Sequence, residues 1–146
     1  MTSPIDAALA DLAEEFELLG DWEERYRYVI ELGKELLPLD EAERTDANKV
    51  RGCASQVWLV TEPRDDGTLA FRGDSDAHIV SGLIAILLRL YSGRTPADIA
   101  AFDAKAAFER LGLSEALSSQ RSNGLKSMVA RIQRDAEAAL GKSALA

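Results

Sequence analysis

A single cysteine and a single histidine are all that this chain offers in the way of thiol or imidazole side chains. A structural zinc ion or an iron–sulfur cluster each needs about four nitrogen or sulfur ligands, so one copy of the chain is not a scaffold for either. With one histidine there is no catalytic triad to assemble, and one cysteine closes no internal disulfide. A reducing compartment would leave that thiol free. Cations are also in deficit: 17 Lys and Arg face 25 Asp and Glu, for a net charge of −8, whereas nucleic-acid binding needs clustered positive charge. No nucleic-acid partner is expected. The longest apolar stretch, HIVSGLIAILLRLY from residue 78, is shorter than the roughly 20 residues that span a membrane. The first residues, MTSPIDAALADLAEEFELL, lack the basic segment of a secretory signal. A cytoplasmic protein with no membrane association is therefore expected. A phosphate-cradling GxxxxGK[ST] loop is missing too.

What the chain does contain is a foldable pattern. At 47% apolar and 29% charged residues, with no repeat and no composition shift, it reads as one domain over 1–146. Ser3 and Pro4 open a first helix with Ile5, Leu9, Leu12, Phe16 and Leu19 on one face, closed by Gly20. Asp21 and Glu24 form a capping-box pair for a second helix, whose stripe of Trp22, Tyr26, Val29, Ile30, Gly33 and Leu37 is expected to face the core. Asp40 and Glu43 are spaced for a short capped turn.

Strands follow at 56–61 and 68–72, joined by the turn residues PRDDG, and 48–51 is a candidate third strand. The four consecutive apolar residues at 57–60 predict a strand covered on both faces. Asp74, Ser75 and Asp76 are N-cap candidates for the apolar helix that follows, in which Gly82 permits close packing. Thr95, Pro96 and Asp98 mark another helix start, and irregular turns carry Phe102, Phe108, Leu111 and Leu113. A final helix aligns Leu125, Met128, Val129, Ile132, Ala136 and Leu140, with Arg131, Arg134 and Asp135 outward, before a tail at 141–146 expected to fray. The fold class is α+β, a small antiparallel sheet of about three strands packed by several helices.

The functional candidate is Cys53. A lone cysteine commonly packs as a small hydrophobe. This one lies outside the apolar run that follows it, after a basic segment bent by Gly52. Thiolate is the nucleophilic form and a free thiol ionises near pH ~8.5, so a working cysteine needs cations nearby. Lys49 and Arg51 supply them. His78, at the start of the central helix, reads as a surface or capping residue.

The segments RGCASQVWLV, GDSDAHIVSGLIAILLRLYSGRTPADI and QRSNGLKSM, in that order within 21–132, resemble the SufE family, the sulfur acceptors of cysteine desulfurases in iron–sulfur cluster assembly. The resemblance implies a SufE/IscU-like fold and a persulfide formed on Cys53. It implies two partners: a cysteine desulfurase of the SufS or CsdA type, and a cluster scaffold of the SufB type that takes the sulfur. No cofactor is implied in this chain, because the pyridoxal phosphate (PLP) that breaks the carbon–sulfur bond belongs to the desulfurase. Val50, Val57 and the central helix are candidates to shelter a persulfide.

Arg51, Gly52, Asp76 and Arg121 are the supporting candidates. Arg121 falls near the first turn of the last helix, where the helix dipole disfavours a cation by up to ~1 kcal/mol. Its match to the RSxGL motif implies a cation near the sulfur site or on the desulfurase-facing surface; a salt bridge or an idle exposed position is the plain alternative. Two other functions stay open: a desulfurase-binding adaptor in which Cys53 merely packs, and a peroxide-reactive redox sensor that, lacking a second cysteine, needs an external thiol.

Overall fold

Helix periodicity early and late in the chain, with β-branched residues between, produces six helices around a two-stranded antiparallel sheet among the described residues. The computed structural model describes the backbone of residues 4–52, 56–113 and 119–145, and side chains within these except at 119–123 and 142–145. In order the elements are α1 (Pro4–Glu17), α2 (Trp22–Lys34), a 3₁₀ turn (Glu41–Glu43), β1 (Val57–Pro63), β2 (Leu69–Ser75), α3 (His78–Tyr91), α4 (Pro96–Ala101), α5 (Ala104–Arg110) and α6 (Ser119–Leu145). Ser3 lies outside the described residues.

The α+β class is as expected, but the sheet has two strands rather than about three. The candidate third strand contributes only an isolated bridge between Lys49 and Trp58. The Val50 amide donates to the Val57 carbonyl and the Leu59 amide to the Asn48 carbonyl, both at 2.8 Å. Pairing goes no further because Asn48 ends a turn begun at Thr45, and the chain bends away at Gly52, whose φ is +91°. Only a glycine adopts that backbone without strain. The β1–β2 hairpin closes through 64–68, where the Asp66 carboxylate accepts from the Thr68 amide and hydroxyl at 3.0 and 2.6 Å.

Strand β1 alternates instead of being buried on both faces: Val57 and Leu59 are buried, Trp58 and Val60 half-buried. The outer face is covered by charged side chains rather than by a packed layer. Arg72 pairs with Glu43 and Glu62, and holds the Glu43 carboxyl below its ordinary range by hydrogen bonding. Arg44 pairs with Asp74 at 2.5 Å and lies over the Trp58 ring at 5.7 Å.

On the inner face sits α3, which buries Leu83, Ile84, Ile86, Leu87, Leu90 and Tyr91. Each of these aliphatic side chains contributes roughly 1.5–3 kcal/mol by leaving water, which makes α3 the centre of the core. Helix α2 meets it through glycine: a Cβ on Gly82 would fall 2.0 Å from the Val29 carbonyl oxygen, and one on Gly33 would fall 2.6 Å from the Gly82 nitrogen. This approach fixes the rotation of α2 and corrects the expected stripe. Val29 is buried, but Trp22 and Leu37 are 46% and 79% exposed, and Trp22 packs edge-on against Tyr26 instead of entering the core. Asp21 caps α2 by accepting from the Glu24 amide, while Glu24 reaches back one residue further, to the Gly20 amide at 2.7 Å.

Thr95 and Pro96 open α4 as expected. The region read as irregular turns holds α5, capped by Asp103 accepting from the Ala106 amide. In α6, Met128, Ile132 and Ala136 are buried, and the helix continues past Gly141 to Leu145. No proline interrupts its backbone ladder there. Among the described residues no helix is long and apolar enough to cross a membrane.

Candidate functional site

Cys53 lies outside the described residues, with Ala54 and Ser55, so the site is defined by the two chain ends that flank these three residues. The leading end is fastened to α6 and to β1. The Arg131 guanidinium, from the middle of α6, donates to the Ala47 carbonyl at 2.9 Å and to the Lys49 carbonyl at 3.5 Å. Val50 is buried and pairs with Val57. At Gly52 the chain presses on α6 so closely that an added Cβ would come within 2.5 Å of Ser127 Oγ. Arg51, exposed beside it, is the nearest described cation to Cys53 in the chain, with Lys49 two residues further back.

The trailing end is Gln56, and it explains what Asp76 does. None of Asp74, Ser75 and Asp76 caps α3; Ala77 occupies the N-cap position and makes no side-chain cap bond. All three side chains are engaged elsewhere. Asp76 Oδ1 accepts from the Gln56 amide at 3.1 Å, and the Asp76 amide donates back to the Gln56 carbonyl at 3.4 Å. Ser75 Oγ donates to the same carbonyl at 2.7 Å, while Asp74 accepts from Arg44 and the Leu39 amide. A residue just ahead of a strand has backbone groups with no ladder partner, and short polar side chains satisfy them. Asp76 therefore braces the residue three positions after Cys53.

The structure thus brings Arg51, Gly52 and Asp76 to the two ends of the Cys53 loop. Arg121 falls in the first turn of α6, as expected, with its side chain outside the described residues. His78 opens α3 and is exposed. Sequence reasoning missed Ser127 and Arg131, taking Arg131 as merely outward. Their i, i+4 spacing does place both on one flank of α6, but which flank meets the loop is a tertiary fact. Among the described residues no group of three or more His, Cys, Asp or Glu is placed to hold a metal ion. A larger apolar hollow of about 630 Å³, walled by Phe102, Phe108, Leu125 and Val129, is lined by none of residues 46–52.

These features define a small α+β protein whose only cysteine stands in the sequence between two braced chain ends. The model of the SufE Fe–S metabolism associated domain matches residues 10–136. An uncharacterised SufE-like protein of Rhizobium etli is 58% identical over 134 residues, covering 90% of each chain. One of Rhizobium meliloti is 52% identical over 136 residues, covering 91% of this chain and 97% of the relative. The solution structure of a hypothetical protein from Thermus thermophilus superimposes with a TM-score of 0.76 at 20% identity, covering 97% of this chain and 99% of that one, which establishes the shared fold. The chain belongs to the SufE family, which is associated with Fe–S metabolism.

Proposed function

We propose that this protein accepts sulfane sulfur on Cys53 from a cysteine desulfurase and hands it to a cluster-assembly scaffold in the cytoplasm. The Cys53 thiolate attacks the outer sulfur of the desulfurase persulfide. One S–S bond forms as another breaks, the desulfurase thiolate leaves, and no net oxidation occurs. The carbon–sulfur cleavage and its pyridoxal phosphate stay with the desulfurase, and the chain itself needs no cofactor for the exchange. Arg51 provides positive charge that favours thiolate, and Arg121 provides a cation toward the partner.

The observation that carries this reading is the bracing of both ends of the Cys53 loop, by Gly52 against Ser127 and by Asp76 on Gln56. A cysteine serving only as packing needs no such presentation. Fixed ends with a short span between them hold a nucleophile where a second protein's persulfide can reach it.

The test is Cys53→Ser, near-isosteric but unable to take sulfane sulfur. With a cysteine desulfurase, cysteine and excess reductant, wild-type protein should raise desulfurase turnover and acquire one sulfur by intact-mass spectrometry, while the variant does neither and keeps its binding by calorimetry. Stimulation by the variant equal to that of wild type would make the protein an adaptor. Modification of wild type only after peroxide would make it a sensor.

A further inference from the structure

Beside the Cys53 loop, four cations surround one hollow. Lys49 and Arg51 come from the leading end of the loop, and Arg131 and Arg134 from α6, around a cavity of about 410 Å³ whose only carboxylate among the described residues is Asp46. Four of the 17 basic residues thus share a space with one of the 25 acidic residues, on a chain of net charge −8. Like charges drawn together repel, and the surrounding excess of Asp and Glu makes the imbalance the more pointed.

Structure accounts for only one of the four. Arg131 shares Asp135 at 3.4 Å and ties Ala47 and Lys49 to α6. Among the described residues, Lys49, Arg51 and Arg134 make no ion pair and no side-chain hydrogen bond. The walls are nevertheless fixed, by the pairing of Val50 with Val57 and by the seat of Gly52 on Ser127. A preformed hollow of this size is in the range of small-molecule sites, roughly 300–1,000 Å³. Two of its free cations carry guanidinium forks suited to paired oxygens.

We propose that this hollow is a binding site for a small multivalent oxyanion, one that presents clustered phosphate or carboxylate oxygens to Lys49, Arg51 and Arg134 while Arg131 holds the walls together. Binding does not depend on the sulfur chemistry of Cys53, so this site and the acceptor role stand or fall separately.

The experiment titrates ¹⁵N-labelled full-length protein, in low-chloride buffer, with inorganic diphosphate and, separately, with citrate, following backbone amide shifts. Saturable shifts centred on 46–52 and 127–134 are expected with at least one of them, weakening as salt is added. Saturation by diphosphate alone assigns the site to phosphates, by citrate alone to carboxylates, and by both to charge density. The double variant Lys49→Gln/Arg134→Gln should weaken binding at least ~tenfold with no fall in thermal midpoint, since neither side chain bonds another described residue and their removal relieves repulsion among the four cations. Non-saturating shifts with both anions, shifts spread across the chain, or undiminished binding by the double variant would overturn the proposal. So would a glutamate-rich peptide that binds this surface more tightly than either anion, which would make it a protein-docking surface instead.

Discussion

Gly52 and Ser127 are in such close register that a single added methyl group at position 52 would come within 2.5 Å of the serine hydroxyl. The φ of +91° at Gly52 adds a second barrier to any other residue. The pair locks the leading end of the Cys53 loop onto α6. Gly52→Ala should therefore cost about 1–2 kcal/mol from backbone strain, and more if the contact cannot relax. Urea unfolding would measure this, and Ser127→Gly in the same chain should restore the contact part but not the strain part. Sulfur acceptance should fall with Gly52→Ala by more than the stability loss explains, because the loop is re-aimed.

Asp76 gives a complementary test at the trailing end. Asp76→Ala leaves the Gln56 amide without its 3.1 Å acceptor, which at an exposed position should cost only about 0.5–1 kcal/mol. The rate of persulfide transfer to Cys53 should drop several-fold all the same. Asp76→Asn keeps an acceptor oxygen and should recover most of that rate. Equal rates for all three proteins would reduce Asp76 to a loop residue of no consequence.

Tyr91 is fully buried in α3, edge-on to Phe102, and its hydroxyl has no hydrogen-bond partner among the described residues. Burial drives its ionisation well above the ordinary tyrosine range. An unpartnered buried hydroxyl costs about 1–3 kcal/mol. Tyr91→Phe removes that oxygen and keeps the ring, so the thermal midpoint should rise; a fall would mean that the hydroxyl has a partner in solution.

Glu15, on α1, takes both guanidinium nitrogens of Arg89 and the Tyr28 hydroxyl, tying α1 and α2 to α3. The Arg89 hydrogen bonds hold its carboxyl below the ordinary value of 4.5. A depressed carboxyl stabilises the fold above the ordinary value, and that contribution is lost as pH falls through the folded-state value. Stability should thus decline below about pH 4.5, with Arg72 and Glu43 acting in the same direction. Arg89→Gln should lower stability at pH 7 but shrink the difference between pH 7 and pH 3, as thermal unfolding at the two values would show.

The positions of α1 to α4 and of α6, the caps at Asp21 and Thr95, the hairpin turn and the one candidate thiol are legible in the sequence, because each depends on side-chain chemistry or on periodicity within a few residues, whereas the short α5 reads there as irregular turns. The rotation of α2 is not legible there. Trp22 and Val29 both fit an apolar stripe, and only the contact of Gly33 with Gly82, far along the chain, decides that Val29 goes in and Trp22 stays half outside. Asp76 shows the same division: its type marks it as a cap, but a cap for which backbone is settled by the nearness of Gln56 across the sheet end. Each residue's chemistry was determined by sequence alone, while the gathering of Lys49, Arg51, Arg131 and Arg134 around one hollow came only from folding, since the physical cause is the docking of α6 against a segment some 80 residues before it.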